Sequence, residues 1–136
     1  MSFTNNLETD VLTYFFTDAT APARPASWFL GLHLAGNAPG ETGISVTNEL
    51  SGNAYARQSI GSMTVSGDNA SNGAAIEFPT ATGTWGEVAY VSIWLKSAAG
   101  TSGDAMLAYA ALASNKTVST GDVLRIPIGD LDINME

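Results

Sequence analysis

Apolar positions along this chain follow two different periods, and the change comes early. Leu7, Val11, Leu12, Phe15 and Phe16 recur at helical spacing. Ser2 and Thr4 precede them as capping candidates, and Glu8 and Asp10 suit the positive end of a helix dipole. The pattern predicts a helix over residues 4–16 that ends before Pro22, followed by a loop over 17–26. From Ser27 onward the period becomes two. Trp28, Leu30, Leu32 and Leu34 share one face of a predicted strand over 27–35, and Phe29, Gly31 and His33 share the other. Residues 36–49, rich in Gly, Pro, Asn and Thr, read as a long loop. Further strands are predicted over 55–65 (broken or bulged near Gly61), 74–78 and 85–96. In 85–96, Val88, Tyr90, Ser92 and Trp94 alternate with Ala89, Val91, Ile93 and Leu95. Apolar residues on both faces mark that strand as central. Residues 106–112, a short edge piece at 116–118, 123–128 and 131–135 complete the set.

Residues 72–88 give the densest local signal. Asn72-Gly73 reads as a tight turn, Ile76 and Phe78 as inward strand positions with Glu77 outward, and Pro79 as the strand's end. Thr80 to Thr84 form a small-residue loop. Trp85 then caps the core, and Gly86 permits close approach of a neighbour. Ser/Thr-Gly-Asp triplets at 66–68, 102–104 and 120–122 are turn signals at irregular spacing, not a sequence repeat. About eight short strands with Gly-rich connections predict a mainly β fold: an antiparallel β-sandwich, jelly-roll-like, with one N-terminal α-helix. With no linker in view, residues 1–136 read as a single domain.

Composition narrows the function more than it names it. Charged residues are 13% of the 136, far below the ~25% of ordinary soluble domains, so much of the surface must be Thr, Ser, Asn, Gly and Ala. That suits a β-rich assembly subunit. Thirteen acidic against five basic residues give a net charge of −8, which opposes binding to nucleic-acid phosphates. Cysteine is absent, which excludes disulfides and Cys-ligated zinc. No secretory-signal pattern opens the sequence and no apolar run is long enough to cross a bilayer, so no membrane insertion is expected. The sequons at Asn69 and Asn115 are then coincidental.

Candidate chemistry is sparse. His33, the one histidine, lies in an alternating strand and is expected at a surface or interface. No nucleophile elbow, phosphate loop or dinucleotide fingerprint occurs. Glu77 and Glu87 flank the 79–84 loop as a conceivable glycosidase pair, but acids beside strands are ordinarily solvated. Asp130 with Asp132, or Asp68 with Asn69 and Asn72, hold oxygens for a cation, yet Asp, Asn and Gly also build turns without one. The expectation is therefore no catalytic residue, no metal and no cofactor. Trp28, Trp85, Trp94, Tyr90 and Tyr109 fit core and interface roles better than a sugar-stacking platform.

Four segments, Ser2–Glu8, Trp28–Leu32, Asn72–Gly86 and Met106–Leu112 with Lys116 and Gly121-Asp122, resemble a family of small tailed-bacteriophage virion proteins labelled tail fibre or structural protein. The likeness spans nearly the whole chain in the family's order. It departs at Trp94-Leu95-Lys96, where a more polar strand end is usual, and at a longer turn over 100–104. The resemblance implies a non-enzymatic virion-surface protein. A capsid decoration (cement or knob) subunit is the first expectation, and a short tail-fibre or tail-tip subunit binding a host receptor is the second. The expected partners are other copies of the chain in a homotrimer, the major capsid protein or tail proteins, and a host surface receptor. Leu7, Val11, Phe15, Trp28 and Trp94 are the expected interface residues.

Overall fold

The alternation that starts at Ser27 becomes the inner part of an antiparallel sheet, and everything else is arranged around it. In the computed structural model the described residues are 1–21, 23, 25–42 and 48–134; Pro22, residues 43–47 of the long loop and Met135 of the last predicted strand lie outside them. In chain order the elements are β1 (Ser2–Phe3), α1 (Asn5–Phe16), β2 (Phe29–Leu34), β3 (Gln58–Ser59), β4 (Met63–Ser66), β5 (Asn69–Asn72), β6 (Ile76–Glu77), β7 (Gly86–Trp94), β8 (Met106–Val118), β9 (Arg125–Ile126) and β10 (Asp132–Asn134). A five-stranded sheet runs β1-β8-β7-β2-β3, a second sheet runs β10-β5-β4, and β6 pairs with β9. Every pairing is antiparallel. The protein is thus mainly β and sandwich-like with one N-terminal helix.

The core lies between the five-stranded sheet and the two smaller ones. Leu30, Leu32, Val91 and Ile93 meet Ile60, Ile76, Phe78 and Leu131 in one buried cluster. β7 sits between β2 and β8, as its two apolar faces predict. Strict alternation fails at one point. The register shifts between Val88 and Tyr90, so Val88 pairs with Leu34 and joins the core, while Tyr90 pairs with His33 on the opposite face. A bulge reverses facing in this way because side chains alternate with period two.

The predicted edge piece at 116–118 is not separate. It continues β8, because Ala111 pairs with Tyr90 and Lys116 with Val88, leaving residues 112–115 bulged opposite Ala89. The predicted 55–65 strand divides at Gly61 (φ 71°), and β3 and β4 go to different sheets. Asn72-Gly73 is not a hairpin turn. Neither residue has a positive φ, and Asn72 closes β5. The β4–β5 hairpin instead turns at Gly67-Asp68 inside the first Ser-Gly-Asp triplet, with Gly67 at φ 65°.

Trp85 caps the core as expected, buried edge-on to Tyr55 and Phe78 with its indole N–H donated to the Asn53 carbonyl at 2.9 Å. An added Cβ at Gly83 would lie 2.6 Å from Asn53 Oδ1, so the glycine of this loop makes room for that side chain.

Candidate functional site

Two places break the usual partition of apolar inside and polar outside. The first is α1. Its N-cap, Thr4, is fully buried, but the hydroxyl does not cap the helix. It donates instead to the Met106 carbonyl at 2.7 Å, and the Thr4 N–H donates to Leu107 O at 2.9 Å. With Asn5 N–H on Glu41 O (3.0 Å), these bonds fasten the helix to the sheet by its first turn. The body of the helix is loosely covered, and none of its residues is buried. Leu12 is 59% exposed, Tyr14 50%, Phe15 69% and Phe16 80%. Tyr14 and Phe15 stack edge to face with centroids 4.8 Å apart, which groups these rings without covering them.

Between α1, the residues Ala21, Ala23 and Pro25, and the end of the sheet runs an apolar groove of about 430 Å³, lined by Leu7, Val11, Tyr14, Phe15, Trp28 and Leu107 among others. Leu7, Trp28 and Leu107 also line a smaller cleft of about 260 Å³ that runs on toward Ile60, Met63 and Ile133. Four of the five expected interface residues, Leu7, Val11, Phe15 and Trp28, therefore line one groove. The fifth requires correction. Trp94 is 1% exposed within its own chain and has no surface to offer a partner.

Trp94 belongs to the second place, a buried polar layer on the sheet face away from the core. A strap, residues 48–57, runs along the β2 edge beside it, and its Glu49 and Arg57 side chains reach into this layer. Leu50 N–H donates to Leu32 O at 2.9 Å, and Glu49 bridges to His33. Arg57 makes an ion pair with Glu49 at 2.6 Å and with Asp104 at 2.9 Å, donates to Lys96 O at 2.8 Å, and lies 3.9 Å above the Trp94 ring. Tyr55 OH donates to Glu49 Oε1 at 2.7 Å and accepts the Leu32 N–H at 3.0 Å. Burial, with Glu49 beside it, pushes the Tyr55 phenol far above its usual range. Burial works against the Arg57 charge, but its hydrogen bonds to Glu49 and Asp104 outweigh that and hold its pKa above the ordinary value. Gly31 makes the layer possible: a Cβ there would lie 2.9 Å from both Glu49 Oε1 and Trp94 Nε1.

His33 is also fully buried, which corrects the expectation of a surface or interface histidine. The Asn48 carbonyl, 2.9 Å from Nδ1, can only accept, so Nδ1 carries the proton. Nε2 of the neutral ring then accepts from Ser92 Oγ at 2.7 Å, and that hydroxyl accepts Trp94 Nε1–H at 2.6 Å. Burial lowers the His33 pKa and favours this neutral form.

Among the described residues no buried side-chain polar atom lacks a hydrogen-bond partner. The buried layer is thus internally complete. Of the other candidate groups, Glu77, Glu87, Asn69 and Asn72 have partners of their own. Glu77 faces Arg125 across β6–β9 at 4.0 Å, while Glu87 accepts from Asn115 at 2.8 Å. Asn72 donates to Ala74 O and Pro127 O and accepts Leu131 N–H, which uses its whole amide to join β5 to the 127–131 turn. Asn69 donates to Asn134 at 2.7 Å. Among the described residues no helix is long and apolar enough to cross a membrane.

A mainly β sandwich whose described buried polar groups are satisfied, with an apolar helix left uncovered, has the features of a structural protein. The family model described as podophage GP4 fiber I protein gp80 matches residues 2–134, and the chain belongs to that family. It is a phage structural protein, as the resemblance in its four segments implied. A search of curated proteins found no match.

Proposed function

We propose that this protein is a non-enzymatic subunit displayed on the outside of the virion, serving in a tail fibre. The match to a fibre family over residues 2–134 carries this reading. The self-contained polar layer supports it too, since Arg57, Glu49 and Asp104 bind one another rather than standing open to a substrate. In this role its partners are neighbouring tail proteins and a host surface receptor.

Capsid decoration is the second reading. It is favoured by the sandwich-like fold with its uncovered helix, an arrangement suited to a knob seated on a shell. The sequence alone ranks decoration first, and the family match reverses that order.

Copy number in purified virions, measured by quantitative mass spectrometry against the major capsid protein, separates the two. A small fraction of the shell protein's abundance, at the level of tail components, is the expected result. Parity with the shell protein would replace the fibre by decoration, and absence from the virion would remove both.

A further inference from the structure

We propose that α1 joins copies of this chain. The Leu12 and Phe16 side chains of one protomer seat in the groove between α1 and Trp28 of a second copy, and the contact repeats around a closed ring of three. The virion role sets the biological context only; the contact itself is a property of the isolated protein.

The two halves of this contact are different surfaces. Leu12 and Phe16 stand one turn apart and form an exposed ridge that takes no part in lining the groove. Val11 and Phe15, one residue earlier at each step, turn toward the groove instead. A ridge and a groove on one protomer make a heterologous contact, and a heterologous contact that closes makes a ring, of which three copies is the smallest.

The exposed area is of the right order. At ~200 Å² for a large side chain, the exposed fractions of Leu12, Tyr14, Phe15 and Phe16 amount to roughly 500 Å². That equals the largest apolar patch of an ordinary monomer, here confined to one short helix. Tyr14 and Phe15 are themselves groove walls, so a ring covers the whole patch, each protomer giving its ridge to one neighbour and its groove to the other. A helix of 12 residues is marginal in water without packing, and this one buries none of its side chains within the protomer.

Charge fixes the character of the contact. The chain carries a net −8, and α1 contributes Glu8 and Asp10 without a basic residue. Copies repel one another at long range, so an apolar ridge must drive the association, and added salt should strengthen it by screening.

The test is the mass of the intact protein in solution, by light scattering across concentration and ionic strength. The comparison is with Leu12→Ser/Phe16→Ser, and Val65→Ser on β4 serves as an exposed control. The expected wild-type species is a trimer of the 14.1 kDa chain that tightens with salt. The double variant should lose roughly 100-fold or more in self-affinity, and the control should match wild type. A wild-type monomer at every concentration, a two-fold dimer, or a double variant that still forms trimers would overturn the proposal. A monomer that binds purified capsids or tails through Leu12 and Phe16 would also overturn it, by assigning the ridge to another virion protein. None of these outcomes bears on virion copy number, so failure here is distinct from failure of the fibre reading.

Discussion

The strap and the helix invert each other. At the strap the chain buries an arginine, two carboxylates, a tyrosine hydroxyl and a histidine, and completes every bond among them. At α1 it leaves two phenylalanines, a tyrosine and a leucine in water. A buried polar group is tolerated only when its hydrogen bonds are made, so a finished network points inward, toward structure. A large apolar patch gains nothing from water, so an unfinished one points outward, toward a partner. The first region serves stability, and the proposed contact uses the second. Perturbing each should move a different observable.

The largest effect on folding is expected at Arg57. Arg57→Ala leaves Glu49 and Asp104 as carboxylates with side chains almost fully buried and their cation gone. Breaking a buried pair from one side costs about 3–5 kcal/mol, against a typical total of about 5–15. Thermal unfolding should show a fall of roughly 10 °C or more. A fall of only a degree or two would mean that water reaches the network, and the contrast between the two regions would weaken.

The sequence discloses the two regions unequally. The helix is legible because its period is local: Leu7, Val11 and Phe15 are spaced by single turns, and the same spacing brings them to one groove. The central place of β7 is legible for a similar reason, since its apolar residues occupy both faces. The Ser/Thr-Gly-Asp triplets read correctly as turns, with Gly67, Gly103 and Gly121 all at positive φ. The strap is hidden because its contacts are not local. Arg57 reaches 8 residues back to Glu49 and 47 forward to Asp104. Period-two alternation groups Ser92 with Trp94 and sets His33 opposite Leu30 and Leu32, but it carries no notice that a distant segment will cover their side of the sheet. Two hints do exist. Gly31 interrupts an otherwise bulky strand, which signals close approach, and one of only five basic residues lies two positions after Tyr55.

The next effect is one of pH and belongs to His33. The unfolded ring titrates near 6.5, and burial lowers the folded value below that. Below pH ~6.5 the unfolded state therefore binds a proton that the folded state resists. The stabilising contribution is complete above that pH and is lost as pH falls toward the folded pKa, at no more than about 1.4 kcal/mol per pH unit. Protonation would make Nε2 a donor and force the Ser92 hydroxyl to turn away; Glu49 attracts the added charge more than Arg57 repels it, but the cost of burial decides the direction. Denaturation midpoints of wild type and His33→Gln between pH 7.5 and 5.5 check this. The wild type should lose stability faster on acidification, and parallel curves would show that the buried ring is not the sensor.

The smallest effect on the fold itself is expected at the ridge. Leu12 and Phe16 touch little within the protomer, so Leu12→Ser/Phe16→Ser should change its stability by no more than about 0.5 kcal/mol per site. Measured at high dilution, the two proteins should unfold at nearly the same temperature. Raising the protein concentration should then separate them. Assembly binds the folded state and lifts the wild-type midpoint by mass action, whereas a variant that stays monomeric keeps a fixed midpoint. If instead the variant is less stable at every dilution by several kcal/mol, α1 contributes to the protomer's own fold. The ridge would then resemble the strap, a structural feature rather than a surface kept open for a neighbour.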